Sequence, residues 1–328
     1  MTKKTLASLI QIAMVLAWLV LMLGAYTRLT DAGLGCPDWP GCYGHIVMPA
    51  AEVVKQAFPH ESIETVKAWT EMAHRYLAGL LVATVTAILL LLQIKFRGLI
   101  GAKLRIALLG LLVFQALLGM WTVTLKLLPI VVMGHLMGGF TIFACLAAMR
   151  SVLLDKIEVK AHNIRRCVFI GLILVLLQIA LGGWVSANYA SISCIGFPMC
   201  NGQWLPELNF AKAFNLLPHI GPNYQGGLLD IGARMTIQMT HRFGALVVFC
   251  YWTLLSMTIM LKVANQRIRM FCLLLLGLLA AQIVLGIVNV IYLLPVVAAV
   301  MHNGVAALLL GCIVIIFNLI QHKRAIDV

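Results

Sequence analysis

The sequence LLPIVVMGH, from Leu127 to His135, has a close counterpart in LLPVVAAVMH, from Leu293 to His302. Each segment opens with Leu-Leu-Pro and reaches a histidine inside a run of apolar residues. Proline begins a helix well and interrupts one badly, so each segment indicates a tight turn that leads into a new helix. The recurrence predicts a chain built from two similar halves.

The apolar runs around these two segments predict a membrane protein. The 328-residue chain is 62% hydrophobic and only 11% charged, which is too apolar for a soluble domain. A spanning helix needs roughly 20 apolar residues. The runs without Asp, Glu, Lys or Arg are 5–27, 76–94, 106–125, 127–149, 167–188, 243–261 and 270–322, the last supplying two helices if it turns at Leu293-Leu294-Pro295. We therefore predict an all-α integral membrane protein whose eight transmembrane helices form two pseudo-symmetric four-helix bundles.

Matched residues extend the repeat over the whole chain. Features of the first half recur at an offset of 158 and then, after a longer second loop, at an offset of 167. The matched pairs are Gly24 and Gly182, Cys36 and Cys194, Cys42 and Cys200, His74 and His241, Gln115 and Gln282, Gly119 and Gly286, and His135 and His302. Four helices in each half give both halves the same orientation. The predicted halves are residues 1–155 and 156–328.

The formal net charge of +13 is distributed as the positive-inside rule expects. With the N-terminus in the cytoplasm, sixteen of the 24 Lys and Arg residues fall on the cytoplasmic side, and an even number of helices returns the C-terminus to that side. The bilayer accounts for the charge, so no nucleic-acid partner is expected. The long loops 29–69 and 189–231 then lie outside, and a bacterial cytoplasmic membrane is the expected location.

Four histidines lie near the external starts of the second, fourth, sixth and eighth helices. They are His74 with His135, the first histidine pair, and His241 with His302, the second histidine pair. A polar side chain at membrane depth is costly and usually marks function. A hydrogen bond between helices explains a single such histidine equally well, but two pairs at equivalent positions favour a ligand. Facing neutral imidazoles are a common way to hold haem iron.

Two other uses of these histidines fit the sequence less well. A zinc site needs further ligands beside each pair, and a proton path needs a chain of acids, of which only Glu71 lies near the membrane. Glycines beside the ligands are predicted to leave room for a flat macrocycle, although small residues also serve helix packing. These glycines are Gly134, Gly138, Gly139, Gly244 and Gly304.

Two cysteine pairs, Cys36 with Cys42 and Cys194 with Cys200, fall in the external loops, a compartment that permits disulfides. Each pair closes a small ring that contains a proline. A structural disulfide is the preferred interpretation for Cys194 and Cys200. For Cys36 and Cys42 a redox role stands beside it, because that loop is expected to cover the first histidine pair.

One difference between the halves indicates chemistry. Glu71 stands three residues before His74, on the same helical face, whereas the matching residue of the second half is Gln238. A solvated glutamate, or one paired with Arg75, is the plainer interpretation. An acid beside one site and an amide beside the other nevertheless suggests proton-coupled chemistry at the first site and cofactor binding alone at the second.

At these residues the chain resembles the haem A synthase family over nearly its whole length. The resemblance rests on GAYTRLT at 24–30, CPDWP at 36–40, Glu71 with His74, and the three further histidines. It implies an oxidoreductase that converts the methyl group at ring position eight of haem O into a formyl group, giving haem A for cytochrome oxidase. It also implies two kinds of partner, the farnesyl-adding haem O synthase and cytochrome oxidase assembly factors.

The resemblance assigns roles to the candidate residues. It implies a resident haem b in the second half and a substrate haem O in the first. The implied iron ligands are His241 and His302 for haem b and His74 and His135 for haem O. Glu71 is the implied catalytic residue, and Arg28, Arg75 and Arg242 are candidates for contacts with haem propionates.

Two other functions would use the same four histidines. A two-haem transmembrane b-type electron carrier would place its haems towards opposite faces of the membrane, whereas all four histidines are predicted near one face. A haem chaperone or transporter would need an open exit path.

Overall fold

The computed structural model describes residues 2–57, 64–159, 163–216 and 218–322. Eight helices of this part of the chain are long and apolar enough to cross a membrane. They are α1 (Lys3–Leu29), α3 (Thr65–Ile94), α4 (Ala102–Thr124), α5 (Pro129–Val152), α6 (Ile164–Ala187), α8 (Ile231–Lys262), α9 (Gln266–Ile291) and α10 (Val296–Leu319). The shorter elements are α2 (Ala51–Ala57), α7 (Phe210–Ala213), β1 (Ile157–Val159) and β2 (Ile320–His322). The predicted helical membrane fold with eight spanning helices is confirmed.

Both predicted Leu-Leu-Pro turns are present. Helix α5, which follows the first turn, begins at Pro129. Helix α10, which follows the second turn, begins directly after Pro295. Each turn contains two consecutive left-handed residues: Lys126 (φ 49°) with Leu127 (φ 63°), and Leu293 (φ 54°) with Leu294 (φ 67°). This conformation is unfavourable for residues other than glycine. The packing of α4 on α5 and of α9 on α10 therefore imposes the same tight reversal in both halves.

The helices α3 and α8 begin before their apolar runs, at Thr65 and Ile231. Their early turns carry charged residues that bond to the external loops, as Arg75 and Arg242 do. Asp230 caps α8 by accepting a hydrogen bond from a backbone N–H of the first turn at 2.8 Å. The histidines of these two helices therefore lie well inside continuous helix.

The two halves meet along α1, α5, α6 and α10, and α10 is the most deeply buried of the eight spanning helices. Two side-chain hydrogen bonds join α1 to α10. The indole of Trp18 donates to the carbonyl of Gly304 at 2.9 Å, and the amide of Asn303 donates to the carbonyl of Leu21 at 3.0 Å. Both α10 residues directly follow His302 in the chain, so the placement of His302 depends partly on the first half.

Strands β1 and β2 form a short parallel pair at the end of the molecule that is remote from the Leu-Leu-Pro turns, and Ile157 pairs with Ile320. Within the last apolar run, α10 ends at Leu319 and the next three residues are extended. The apolar sequence gives no signal for this change, because the backbone of β1 supplies the hydrogen-bond partners that replace the helical ones.

A substitution at Gly171 tests the packing of α6 on α8, because the absence of a side chain at Gly171 makes room for the rings of Trp252 and Tyr251. A methyl group there would lie 2.6 Å from the ring of Trp252 and 2.9 Å from that of Tyr251, and Trp252 is fully buried. We expect Gly171→Ala to destabilise the protein by about 1–3 kcal/mol through overpacking. The measurement is the midpoint of thermal unfolding in detergent, which is expected to fall.

Gly110→Ala is the matched control. Gly110 lies within α4, where an added methyl group meets nothing within 4 Å. Because alanine favours helix over glycine, the midpoint is expected to stay unchanged or to rise slightly. Equal midpoints for the Gly171 and Gly110 variants would contradict the packing described here.

Candidate functional site

The first histidine pair lies side by side within the helices. His74 of α3 and His135 of α5 have ring centroids 6.4 Å apart, and their ring planes are inclined at 80°. A metal–imidazole bond is about 2 Å long, so two rings on opposite sides of one metal ion place their centroids roughly 6 Å apart. The observed spacing therefore suits the ligation of one iron by both side chains.

The second histidine pair occupies the corresponding helices of the other half, with His241 on α8 and His302 on α10, and the two side chains interact electrostatically. Within the described ranges, no group of three or more His, Cys, Asp and Glu side chains is placed to hold a metal ion. Each pair thus offers two protein ligands. Two is the number that an iron already held in a porphyrin takes from the protein along its axis.

All four imidazoles lie against a glycine of a neighbouring helix. A methyl group on each glycine would approach Cε1 of the ring: 2.9 Å for Gly24 and His74, 3.2 Å for Gly119 and His135, 3.1 Å for Gly182 and His241, and 3.3 Å for Gly286 and His302. Larger residues at these positions would displace the rings, because the interior is closely packed. The repeat had matched all four glycines, but the sequence did not reveal what they contact.

The glycines that were predicted to leave room for a macrocycle serve helix packing instead. The side chains that occupy the space beside them are Leu118 at Gly134, Gln115 at Gly138, Leu21 at Gly139, Gln178 at Gly244, and Met22 with Trp18 at Gly304. That prediction is wrong, because these glycines face neighbouring helices and let them approach closely.

Glutamine amides contact three of the four histidines. The contacts are Gln115 Nε2 to the His135 carbonyl (2.7 Å), Gln282 Nε2 to His302 Nε2 (3.1 Å), and Gln178 Nε2 to the Nδ1 atom (3.0 Å) and the carbonyl (2.9 Å) of His241. The repeat matches Gln115 with Gln282. Gln178 has no matching glutamine, and sequence reasoning missed it for that reason.

Buried polar atoms without a hydrogen-bond partner gather at these residues. In the part of the chain that the structure describes, they include Nδ1 of His74, His135 and His302 and Oε1 of Gln115, Gln178, Gln238 and Gln282. Buried polar groups are nearly always paired in folded proteins. Unpaired buried polar atoms are typical of a site that a ligand completes, and a pair of imidazoles is a ligand set that haem iron takes, so the histidine pairs fit a haem in each half.

Glu71 is buried, with only 4% of its surface exposed, and both carboxylate oxygens are engaged. One oxygen accepts a hydrogen bond from the backbone N–H of Cys36 at 2.9 Å, and the other forms an ion pair with Arg75. The pairing with Arg75 that the sequence suggested is thus present, although the glutamate is not solvated. Glu71 ties the first cysteine loop to the helix that carries His74.

Both cysteine pairs form disulfides, Cys36–Cys42 and Cys194–Cys200, as the sequence predicted. The arginine that directly follows the histidine of α3 or α8 anchors each loop. Arg75 donates to the carbonyls of Asp38, Pro40 and Gly41, and Arg242 donates to those of Cys194 (2.7 Å) and Met199 (3.2 Å). Each disulfide loop is therefore fastened to the helix turn that carries a histidine of its own half.

Arg28 links the two halves at the end of α1. Its guanidinium donates to the carbonyl of Ser186 at 2.7 Å and lies 3.8 Å above the ring of Tyr189. The hydroxyl of Tyr189 donates in turn to a carboxylate oxygen of Asp31 at 2.7 Å. Burial raises the pKa of the Tyr189 phenol above its ordinary value, which keeps this side chain a hydrogen-bond donor.

Comparison with known proteins gives consistent matches. A profile of the COX15-CtaA family, described as cytochrome oxidase assembly protein, matches residues 7–314. A Shewanella oneidensis protein named Heme A synthase is 42% identical over 97% of this chain and 97% of its own. Proteins of the same name from Beijerinckia indica and Alkalihalophilus pseudofirmus are 28% identical (90% of this chain, 88% of their own) and 26% identical (58% and 62%).

The loop anchors predict how each disulfide responds to loss of its arginine. Arg242→Ala removes the donor that holds the carbonyls of Cys194 and Met199, so the Cys194–Cys200 loop opens more often. Hydrogen bonds from a charged group contribute about 1.5–3 kcal/mol each, so we expect about tenfold or faster reduction of this disulfide by a membrane-impermeant phosphine. Thiol labelling with mass spectrometry follows the rate.

Arg75→Ala provides the crossed control, since it is expected to accelerate reduction of Cys36–Cys42 and to leave Cys194–Cys200 unchanged. Similar acceleration of both disulfides in both variants would point to general unfolding and would contradict separate anchoring.

Proposed function

The chain belongs to the COX15-CtaA family of cytochrome oxidase assembly proteins, and we propose that it is an oxidoreductase that makes haem A. The proposed reaction oxidises the methyl group at ring position eight of haem O to a formyl group. The observation that carries the proposal is the first histidine pair, with ring centroids 6.4 Å apart inside a multi-pass membrane protein. A relative that shares 42% of its residues over 97% of the chain is named Heme A synthase.

The two halves take different haems in this proposal. Residues 156–328 hold a resident haem b through the second histidine pair, and residues 1–155 receive haem O as substrate through the first. The placement of an acid in one half alone supports this division. Glu71 is buried beside the helix turn of His74, whereas the matching Gln238 is an amide.

Glu71 is the proposed catalytic residue, as an acceptor or relay for protons. Haem iron, when bound, supplies the redox chemistry. Written with water as the oxygen donor, the conversion of a methyl to a formyl group releases electrons to an external acceptor and releases protons, and a buried carboxylate near the substrate is suited to take the protons. Arg75 stabilises the carboxylate form, and the Cys36 N–H fixes its orientation. The Cys36 contact and the bonds from Arg75 to the loop carbonyls hold the disulfide loop against α3, which supports a further role for this loop in shielding the site from water.

Arg28, Arg75 and Arg242 are the proposed contacts for haem propionates. All three guanidinium groups bond to the protein, and Nε of Arg28 and of Arg242 is buried with no partner among the described residues. A buried donor of this kind is satisfied by an anionic oxygen. These arginines lie at the loop-facing ends of their helices, where the charged edge of a haem bound by the histidines would emerge.

We place the protein in the bacterial cytoplasmic membrane with both termini in the cytoplasm. The positive-inside rule supports this orientation, since Lys3, Lys4, Lys95 and Arg97 lie at the helix ends remote from the disulfide loops. The haem O synthase and cytochrome oxidase assembly factors are the proposed protein partners. Because haem O is lipophilic, it is expected to arrive laterally from the bilayer.

The two-haem electron carrier is not favoured. All four histidines lie in the halves of their helices that adjoin the external loops and the Leu-Leu-Pro turns. Haems held there would both lie towards one face of the membrane, which does not suit electron transfer across it.

The pigments of the purified protein test this proposal against the carrier. We expect acidified-acetone extracts, separated by reversed-phase chromatography, to contain haem b together with haem O and haem A. Two equivalents of haem b with neither haem O nor haem A would contradict the enzyme and favour the carrier.

Glu71→Gln tests the proposed catalytic role. Glutamine retains an oxygen for the Cys36 N–H but cannot accept a proton as a carboxylate does. General acid–base groups contribute about 10²–10⁴-fold to rates, so haem A formation is expected to fall by about that factor while haem O accumulates. The measurement is the ratio of haem A to haem O in membranes.

Gln238→Glu is the matched control at the equivalent position of the second half. It is expected to leave the ratio of haem A to haem O near that of the unmodified protein. Undiminished haem A formation in Glu71→Gln would refute the assignment of Glu71.

A further inference from the structure

The two halves differ at one residue that touches a proposed iron ligand. Gln178 of α6 places its amide nitrogen 3.0 Å from Nδ1 of His241 and 2.9 Å from the backbone carbonyl of the same histidine. At the offset of 158 that relates α6 to α1, the matching residue of the first half is Val20. Valine has no polar group with which to hold an imidazole.

A second difference makes room for this glutamine. Gly244 lies on α8, three residues after His241, and any side chain there would overlap Oε1 of Gln178. At the offset of 167 the matching residue of the first half is Leu77. The glutamine and the glycine therefore form a complementary pair in the second half, and the matching residues of the first half, Val20 and Leu77, are both apolar.

The first half consequently leaves its imidazole without support. Nδ1 of His74 is buried and has no hydrogen-bond partner in the ranges that the structure describes. Gly24 packs against this ring, and no amide of the described residues bonds to its Nδ1. The rotation of the ring and the location of its proton are not fixed by any neighbouring amide.

A histidine that binds a metal usually donates its other ring N–H to an acceptor, which fixes the ring and makes it a better ligand. If iron is bound through Nε2, the proton lies on Nδ1. The amide beside Nδ1 of His241 carries a suitable acceptor, Oε1 of Gln178, which is buried and unpaired within the described chain. A turn of the amide about its terminal bond presents this oxygen to Nδ1–H and gives up the hydrogen bond that Nε2 donates to the His241 carbonyl.

We propose that Gln178, in the space provided by Gly244, is a positioning residue that makes the second histidine pair a permanent haem site. The lack of such a residue beside His74 makes the first pair a weaker ligand set, as a site that must release its haem requires. This inference rests on the proposed function, because it explains why one haem stays and the other is exchanged.

The test follows haem loss from the second site alone. His74→Ala with His135→Ala removes the first pair, and transfer of the remaining haem to excess apomyoglobin is followed by absorbance. Loss of such a supporting contact typically costs about 10–100-fold in metal affinity, so Gln178→Val in this background is expected to release haem about tenfold faster or more. An unchanged rate would overturn the inference.

The reduction potential of the resident haem, measured in the otherwise unmodified protein, separates positioning from mere packing. Gln178→Glu supplies a stronger acceptor for Nδ1–H, which favours ferric iron, so the potential is expected to fall while haem is retained. A potential that does not fall in Gln178→Glu would overturn the inference even if Gln178→Val fails to fold.

The reciprocal change introduces the glutamine and the glycine at the matching positions of the first half. Val20→Gln with Leu77→Gly, in a background of His241→Ala and His302→Ala, is expected to slow haem loss from the first pair by about tenfold. Equal rates with and without the transferred pair would count against the inference while leaving the proposed function intact. Purified protein that carries no haem at all would overturn both.

Discussion

An imidazole in the interior of a membrane protein needs a polar partner or a metal, and this requirement determines how the helices of the molecule pack. Each of the four histidines projects towards a glycine on the adjacent helix, so a side chain in place of any of these glycines would crowd a ring. The arginines next to His74 and His241 bind the disulfide loops, and the left-handed turns lead into the helices of His135 and His302. The rest of the fold supports two places where a pair of histidines lies inside the helices.

Repetition of a four-helix unit has allowed the two places to diverge without altering the fold. The glycines and histidines are the same in both halves, whereas the groups around them differ. One half has a buried acid, Glu71, in an ion pair, and the other has an amide at that position and a second amide on an imidazole. Differences of this kind change the chemistry of a site while the backbone remains constant, as expected when function resides in a few side chains on a shared scaffold.

The sequence predicted the features that depend on strong local signals or on exact recurrence. Apolar length and proline gave the eight helices and both turns, and the repeat identified the four histidines and both disulfides. Helix starts were missed where charged residues such as Arg75 bond to loops, because a charge signals the end of a span but not the end of a helix. The macrocycle glycines were chosen by nearness to histidine in sequence, and the faces they occupy depend on packing. Gln178 escaped notice because repeat matching finds similarity, and its importance lies in a difference.

The contact of Arg28 with Ser186 joins two positions that the repeat makes equivalent, and so does that of Asp31 with Tyr189. Equivalent positions that touch must lie on the pseudo-twofold axis. In a dimer of identical chains, the same side chain would meet its own copy there, and two aspartates would repel. A single polypeptide escapes that restriction, since the carboxylate of Asp31 can face the hydroxyl of Tyr189. Covalent fusion of the halves thus permits complementary chemistry at the one place where symmetry would forbid it.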